Sequence, residues 1–152
     1  MAEQATVWPD GVIDVIEGPW AGWRTWGELD AFESMVGPFY WRAGADGAIR
    51  CAFRAEPRHM NASGFMHGGC LMTFADYSAF AIGMSALSDD WSVTAAFNAE
   101  FVGAVSAGAL VEAGGEVIRG GRSLVFIRGL VTADGDPALS FSVVAKKAAR
   151  RS

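Results

Sequence analysis

Cysteine and histidine are both scarce in this sequence, with two of each among 152 residues. Cys51 and Cys70 are too few for a disulfide framework, and we expect both to be small core residues in a reducing cytosol. A nucleophilic Cys70 is the minor alternative. His59 and His67 have no third candidate ligand beside them, so we predict no metal site. No role for His59 follows from the sequence.

Basic charge is also in short supply. The chain has 12 Lys and Arg against 17 Asp and Glu, and this net charge of −5 argues against broad nucleic-acid binding. The C-terminal KKAARRS could hold a phosphate locally, although a solvated tail is the simpler interpretation. The start, MAEQATVWPDG, lacks the features of a secretory signal. The longest apolar segment, Gly68–Leu87, contains Asp76 and is no candidate membrane span. We therefore expect a cytoplasmic protein that binds neither nucleic acid nor a membrane.

Apolar residues, in contrast, make up 51% of the chain, which suits one compact domain over residues 1–152. Residues 1–35 form a Trp-rich extension that glycine and proline interrupt, so we predict loops and turns laid over the core. A short helix, Glu28–Val36, is predicted to pack there, with several apolar residues on one face. These are Leu29, Phe32, Met35 and Val36. The tryptophans are Trp8, Trp20, Trp23 and Trp26.

Periodicity predicts six strands and one long helix in the remainder. Gly68–Leu87 is apolar on almost every side, which is typical of a buried helix. Strand Ser92–Val102 alternates, which places Thr94 on the face opposite Phe97 and Phe101. Short turns between strands indicate antiparallel neighbours. The sequence therefore predicts an α+β fold in which one curved antiparallel sheet wraps around one long central helix. The other predicted strands are Phe39–Ala43, Ala48–Glu56, Ala109–Arg119, Ser123–Thr132 and Ala138–Lys147.

Asp76 is the only acidic residue between Glu56 and Asp89, and it stands in the most apolar segment. A carboxylate buried there is costly unless it is paired, and the segment has no Lys or Arg. Asp76 could instead lie on a solvent-exposed polar side of the helix, but only Thr73 and Gly83 could form such a side. Asp is also a poor mid-helix residue. We therefore interpret Asp76 as a general base or nucleophile in a half-dry cleft.

Two glycines, Gly68 and Gly69, begin the same segment. If the helix starts near Gly68, its first N–H groups lack intrahelical partners and carry the positive end of the dipole. Glycine lets a ligand approach them closely, and an N–H directed at a carbonyl oxygen stabilises negative charge developing there. Taken alone, a Gly-Gly pair is better explained as a tight turn.

Gly68 and Asp76 cannot act on one substrate within one chain, because eight residues of helix separate them by roughly 12 Å. Two antiparallel copies of the helix across a two-fold axis would place each N-terminus beside the other chain's aspartate. If the two residues cooperate, the protein is an obligate homodimer with two equal sites.

The spaced residues of this region resemble a known family. They match the N-x-x-G-x-x-H-G-G-x-x-x-x-F-x-D pattern of hotdog-fold acyl-CoA thioesterases of the phenylacetate-degradation (PaaI-like) group. The matching residues are Asn61, Gly64, His67-Gly68-Gly69, Phe74 and Asp76. Later landmarks are similar too, namely Thr94, Phe101, Gly108, Gly120-Gly121-Arg122-Ser123 and Gly135. The resemblance covers about Val36–Lys147 and excludes the Trp-rich start.

The resemblance implies a hotdog fold and a role for each matched residue. Asp76 would be the nucleophile or the general base, and the Gly68 N–H of the partner subunit would polarise the thioester carbonyl. Asn61 would orient the carbonyl or the attacking water, and Thr94 would hold Asp76 or that water. His67 would brace the turn, as a support more than as an acid or base. The implied substrate-binding residues are Gly69, Phe74, Arg122 and Ser123.

Simpler alternatives exist for several of these residues. Asn61 could only cap a turn, and Thr94 could be an ordinary strand residue. Arg122 could bind a CoA phosphate or be an exposed turn residue.

Thr94 also raises a geometric difficulty. If Phe97 and Phe101 pack on the chain's own helix, a threonine on the opposite face has to reach a site at the subunit boundary.

The sequence thus predicts a cytosolic acyl-CoA thioesterase that needs no metal or redox cofactor and forms a homodimer, assembled further as a dimer of dimers. The Trp-rich start could line the acyl tunnel, which would favour aromatic or medium to long acyl groups, or it could be surface packing. Two alternatives stay open. One is a non-catalytic acyl-CoA binding module, and the other is an acyl-CoA dehydratase or hydratase, which would need a histidine beside the β-carbon. A structural scaffold fits less well, since packing would prefer leucine to Asp76.

Overall fold

The computed structural model describes residues 11–87 and 91–148. Within these ranges it contains three α-helices, α1 (Ala31–Val36), α2 (Gly68–Ile82) and α3 (Met84–Leu87), and 3-10 turns at Gly27–Leu29 and Pro57–His59. The strands are β1 (Ile13–Asp14), β2 (Arg24–Thr25), β3 (Tyr40–Ala43), β4 (Ile49–Arg54), β5 (Trp91–Phe101), β6 (Leu110–Gly120), β7 (Leu124–Ala133) and β8 (Asp136–Ala148). They form one antiparallel sheet in the order β1-β2-β3-β4-β6-β7-β8-β5.

The predicted α+β architecture is confirmed, because this sheet curves around α2. The helix is buried on most of its circumference, and the sheet face turned towards it carries an apolar layer. That layer comprises Val111, Val125, Ile127, Val131, Leu139, Phe141 and Val143, all buried. Burying one such side chain contributes about 1.5–3 kcal/mol. Cys51 and Cys70 are buried free thiols, as expected. No helix among the described residues is long and apolar enough to cross a membrane.

The Trp-rich extension contains more regular structure than the sequence indicated. From residue 11 onward it forms the hairpin β1–β2, which extends the sheet beyond β3 through the Arg24–Trp41 pair. Trp20 stacks on Tyr40 at 4.5 Å, and Trp26 stacks on Trp41 at 5.7 Å. The tryptophans therefore fasten the extension to the edge of the sheet. Trp8 and the last four residues lie outside the described ranges.

The predicted helix Glu28–Val36 is wrong in its start and in its apolar face. A 3-10 turn comes first, and α1 begins only after Asp30, whose carboxylate accepts the Glu33 N–H at 3.0 Å. The face turned towards α2 carries Glu33 and Val36, which are partly buried. The rest of the apolar stripe is exposed to solvent in the single chain: Leu29 is 64%, Phe32 58% and Met35 70% exposed.

The long predicted helix is divided at Gly83, which separates α2 from α3. A Cβ atom at this position would lie 2.6 Å from Cδ1 of Ile127 on β7. A larger residue at this position would therefore require the Ile127 side chain to move. The apolar periodicity continues across Gly83, which is why the pattern predicted one helix.

The alternation argument for Thr94 is also wrong, because β5 contains a bulge. The register with β8 shifts between Thr94 and Ala96, so that Thr94 lies opposite Ala145 and Phe97 opposite Val143. Ala145 and Val143 both face the core. One extra residue therefore brings Thr94 to the same face of the sheet as Phe97, and the geometric difficulty disappears.

His59 has a clear structural position that the sequence did not reveal. Its ring is 5% exposed and packs edge-on against Phe53. Nδ1 accepts the Glu56 N–H at 3.0 Å, and Nε2 lies 2.7 Å from the Val36 carbonyl oxygen. The His59 carbonyl in turn accepts the His67 N–H at 2.8 Å. His59 thus ties the end of α1 to the segment from which α2 starts.

Candidate active site

The start of α2 leaves one backbone N–H without a partner. The His67 side chain caps the helix, because its Nδ1 accepts the Gly69 N–H at 2.8 Å. The His67 carbonyl accepts the N–H groups of Cys70 and Leu71 at 2.9 and 3.3 Å. Among the described residues, nothing accepts a hydrogen bond from the Gly68 N–H. It is therefore free to bind a ligand oxygen at the positive end of the helix.

Neighbouring segments fix this turn and leave little room at Gly68. The Met66 N–H donates to the Val105 carbonyl at 2.8 Å, which attaches the turn to the segment after β5. A Cβ on Gly68 would lie 3.1 Å from Cε1 of Phe101. The Phe101 ring is nevertheless 53% exposed, so it covers one side of the helix start and leaves the other side open.

Asp76 lies two turns further along α2 and is half-buried. Its Oδ1 accepts a hydrogen bond of 2.7 Å from the Thr94 hydroxyl on β5. Burial raises the pKa of Asp76, the Thr94 hydrogen bond lowers it, and the nearby Asp30 raises it further. No Lys or Arg of the described chain forms an ion pair with it. Asp76 is thus an oriented carboxylate whose proton affinity is increased, as a base or nucleophile requires.

Gly68 and Asp76 belong to one unbroken helix, α2. The helical rise separates them by about 12 Å, so the free N–H and the carboxylate of one chain do not meet at one reacting atom.

Asn61 forms a turn of its own before α2. Its Oδ1 accepts the N–H groups of Ser63 and Phe65 at 2.9 and 3.2 Å. The turn-capping alternative for Asn61 is thus observed, and it does not exclude a ligand. The side-chain NH₂ group makes no hydrogen bond within the described residues, so it can still donate to a carbonyl or a water.

The predicted substrate-binding residues lie in different surroundings. Phe74 is fully buried among Phe39, Phe53 and Tyr77, where it packs the core. The Gly69 N–H is occupied by His67. Arg122 and Ser123 are exposed in the β6–β7 turn. A Cβ on the adjacent Gly120 would lie 3.2 Å from Cβ of Ala86, which places this turn beside α3 rather than beside Gly68 of the same chain.

Cys70 is a poor candidate for the minor nucleophilic alternative. Burial raises the pKa of its thiol to about 11, against a weaker opposing influence of Arg58. A thiol of that pKa is almost entirely protonated near neutral pH. Within the described ranges, no three His, Cys, Asp or Glu side chains are grouped so that they could hold a metal ion.

Sequence reasoning missed Glu33, which the α1–α2 packing brings near Asp76. Burial raises the pKa of Glu33 to about 7, and Asp30 and Asp76 raise it as well. The sequence did contain a signal for this position, because Glu33 lies on the same helical face as the apolar Val36. The longer apolar stripe of the predicted helix drew attention away from that face.

Comparison with known proteins decides the family. A sequence model described as the thioesterase superfamily matches residues 63–139, about half of the chain. The chain belongs to the thioesterase superfamily. It is therefore a thioester hydrolase, and the implied hotdog fold is confirmed. The match begins just before the helix start and includes Gly68, Asp76 and Thr94.

Individual relatives agree with this assignment. The chain is 30% identical over 93 residues to PA0474 of Pseudomonas aeruginosa, whose name proposes an esterase, covering 60% of this chain and 69% of the relative. A mutant of the phenylacetic acid degradation protein PaaI from Thermus thermophilus is 25% identical, with a TM-score of 0.67 over 78% of this chain and 100% of that one. BH2602 from Bacillus halodurans, whose structure contains CoA, is 18% identical and shows the fold, with a TM-score of 0.71 over 81% and 82%.

Proposed function

We propose that this member of the thioesterase superfamily is an acyl-CoA thioesterase that works as a homodimer. It hydrolyses an aromatic or a medium to long acyl-CoA to the free acid and CoA. Asp76 activates the attack, and the Gly68 N–H of the partner subunit stabilises the developing oxyanion. The observation that carries this proposal is the pairing, within one helix, of an oriented carboxylate with an N–H that has no protein partner.

The reaction follows from these groups. With Asp76 as general base, the carboxylate takes a proton from water, and the hydroxide oxygen attacks the thioester carbon. The carbonyl becomes an oxyanion that accepts the Gly68 N–H of the partner subunit, and a helix N-terminus favours that negative charge. Collapse breaks the C–S bond, and the proton held by Asp76 reaches the leaving CoA sulfur. With Asp76 as nucleophile, water would instead hydrolyse an acyl-aspartate anhydride.

Surrounding residues support the same steps. Thr94 fixes the rotamer of Asp76 through its 2.7 Å hydrogen bond. The free NH₂ of Asn61 can donate to the substrate carbonyl or to the water. His67 keeps the helix start in place by capping Gly69 and so leaves Gly68 as the free donor. Each of these residues thereby positions a reacting group or stabilises a charge, and the proposed steps need no metal.

The homodimer is supported by what one chain leaves exposed. β5 is the outer strand of the sheet and carries large exposed side chains, with Trp91 at 58% and Val93 at 53%. On α2 and the loop before it, Met72 and Phe65 are 41% and 46% exposed. An eleven-residue edge strand with exposed apolar side chains favours pairing with another chain. Pairing two such edges about a two-fold axis is the arrangement that the divided site requires.

A coenzyme A substrate is supported by the CoA found in the related BH2602 structure. Arg122 and Ser123 are the proposed contacts for its phosphates, since an exposed Arg on a turn can reach a phosphate without desolvating other charges.

We also propose that two homodimers assemble into a dimer of dimers. The outer face of β7 carries Leu124, Phe126 and Leu130, which are 36%, 40% and 41% exposed.

The direct test measures thiol release from a panel of short, long and aromatic acyl-CoA substrates by wild-type protein and by Asp76→Ala. We expect wild-type turnover on part of the panel and a loss of about 10²–10⁴-fold in kcat for the variant, with KM little changed. Binding of an acyl-CoA by both proteins without thiol release from either would establish the binding module instead. Hydration of an enoyl-CoA without thiol release would establish a hydratase.

A further inference from the structure

A cavity of about 230 Å³ lies between the N-terminal extension and α2. Its lining comes from β2 and the turn after it, from α1, from the segment between α1 and β3, and from one residue of α2. Four of the lining residues are Trp26, Glu33, Phe39 and Tyr77. The extension thus forms one wall of a space whose one lining residue on α2, Tyr77, directly follows Asp76 in the sequence.

The walls of this cavity are aromatic. Trp26 packs edge-on against Tyr77 with ring centroids 4.9 Å apart, and Phe39 packs against Tyr77 at 5.3 Å. The Tyr77 hydroxyl donates to the Phe39 carbonyl at 3.1 Å, so its polar atom is already bonded. These rings therefore offer a ligand apolar surface and little hydrogen-bonding capacity.

Glu33 is the one charged residue of the lining, which also includes the hydroxyl residues Thr25 and Ser34. Its N–H donates to Asp30 and its carbonyl accepts from Gly37, so the backbone that carries it is held firmly. Among the described residues, its carboxylate has no hydrogen-bond or ion-pair partner. Asp30 and Asp76 lie near enough to raise its pKa. The cavity wall consequently carries one acidic side chain, which is negative above about pH 7 and lies near Asp76.

We propose that this cavity is the acyl pocket, and that Trp26 and Glu33 determine specificity: the pocket takes an uncharged acyl group no larger than one ring, and Glu33 excludes acyl groups that end in a carboxylate. The inference rests on the proposed function, which it narrows.

Size and charge support this selectivity separately. The volume is below the roughly 300–1,000 Å³ of pockets for drug-sized ligands, so only a small acyl group is contained in the cavity while Trp26 is in place. A terminal carboxylate would enter an apolar space and meet a second negative charge, which costs free energy twice. Only the second cost depends on Glu33, so substitution of Glu33 isolates it.

The charge is tested with a matched pair of substrates, succinyl-CoA and 4-methylpentanoyl-CoA, whose acyl groups have similar shape. At about pH 8, where Glu33 is largely ionised, we expect Glu33→Gln to raise kcat/KM for succinyl-CoA about 10- to 100-fold relative to the neutral partner. Glu33→Lys is expected to favour succinyl-CoA further. Glu17→Gln removes an exposed carboxylate from the same extension and is expected to leave the ratio unchanged.

The size limit is tested with Trp26→Ala, which is expected to extend activity to longer acyl chains. Trp26→Phe keeps a ring and replaces this variant if the alanine variant is unstable.

An unchanged ratio of kcat/KM for succinyl-CoA to kcat/KM for 4-methylpentanoyl-CoA in Glu33→Gln would overturn the proposal. So would an equal loss of kcat on both substrates, which would place Glu33 in the chemistry. Absence of thiol release by wild type from every acyl-CoA would overturn the proposed function itself.

Discussion

Thr94→Val removes one hydroxyl and keeps the shape of the side chain. In the wild type this hydroxyl donates a 2.7 Å hydrogen bond to Oδ1 of Asp76. This hydrogen bond lowers the pKa of Asp76, whereas burial raises that pKa. The substitution therefore leaves the influences that raise the pKa unopposed. The pKa of Asp76 is therefore expected to rise in the variant, and the acidic limb of the pH–rate profile to move to higher pH.

The magnitude follows from the kind of bond that is lost. A hydrogen bond to a charged group contributes about 1.5–3 kcal/mol. Thr94 is exposed in the single chain, so we expect the lower part of that range, a loss of about tenfold in kcat/KM at pH values on the acidic limb. At higher pH, the kcat/KM of the variant is expected to approach that of the wild type in part. A fully ionised Asp76 no longer needs the hydroxyl to keep its charge.

The assay is kcat/KM against pH, followed as thiol release or loss of the thioester. Thr132→Val is the matched control, because Thr132 lies on β7 outside the site. An acidic limb at the same pH in Thr94→Val and wild type, with activity within twofold, would refute the reasoning. A limb displaced to lower pH would contradict the assigned sign.

Two further predictions concern stability. His59→Ala removes a buried ring and its bonds to Glu56 and Val36, and we expect a loss of about 2–4 kcal/mol in unfolding free energy by denaturant titration; unchanged stability would show that these bonds are dispensable. Burial raises the pKa of Glu33 from its ordinary 4.5 to about 7, so its neutral form favours the fold below 4.5 and that contribution is lost as pH rises through 7. Glu33→Gln is therefore expected to gain stability relative to wild type between about pH 5 and about pH 8, by on the order of 1–2 kcal/mol after allowance for partial exposure. A relative gain towards acid pH would contradict this.

Most of the fold was predictable because its signals are periodic and local. Alternation located β5 to β8, and the apolar segment with its glycine start located α2 at Gly68. The position of Asp76 in that helix was predictable for the same reason. The structure also shows the hydrogen bond to Thr94 that the family resemblance implied. Their roles in hydrolysis stay predictions.

The features that escaped the sequence are tertiary. The bulge that turns Thr94 inward depends on how β5 pairs with β8, and alternation in one strand cannot reveal it. Gly83, which divides the helix, lies against Ile127 of a distant strand, and periodicity does not reveal that contact. Glu33 was overlooked because the burial of α1 was judged from its apolar stripe, whereas packing against α2 selected the other face.

The central claim is that each site combines Asp76 with Gly68 of the partner subunit, and complementation tests it most directly. Gly68→Pro removes the N–H at the first position of α2, where proline is tolerated, and adds the proline ring there. His67, at φ −60° and ψ 135°, already has the backbone that a following proline requires. The Phe101 ring has to shift slightly, and its exposure allows that.

Asp76→Ala and Gly68→Pro are each expected to be inactive as homodimers. When equal amounts are unfolded together and refolded, half of the dimers are mixed, and each mixed dimer has one site with both Asp76 and the Gly68 N–H intact. Activity is then expected to return to about one quarter of the wild-type value. Refolded mixtures that contain mixed dimers and stay inactive would contradict a site shared between two chains.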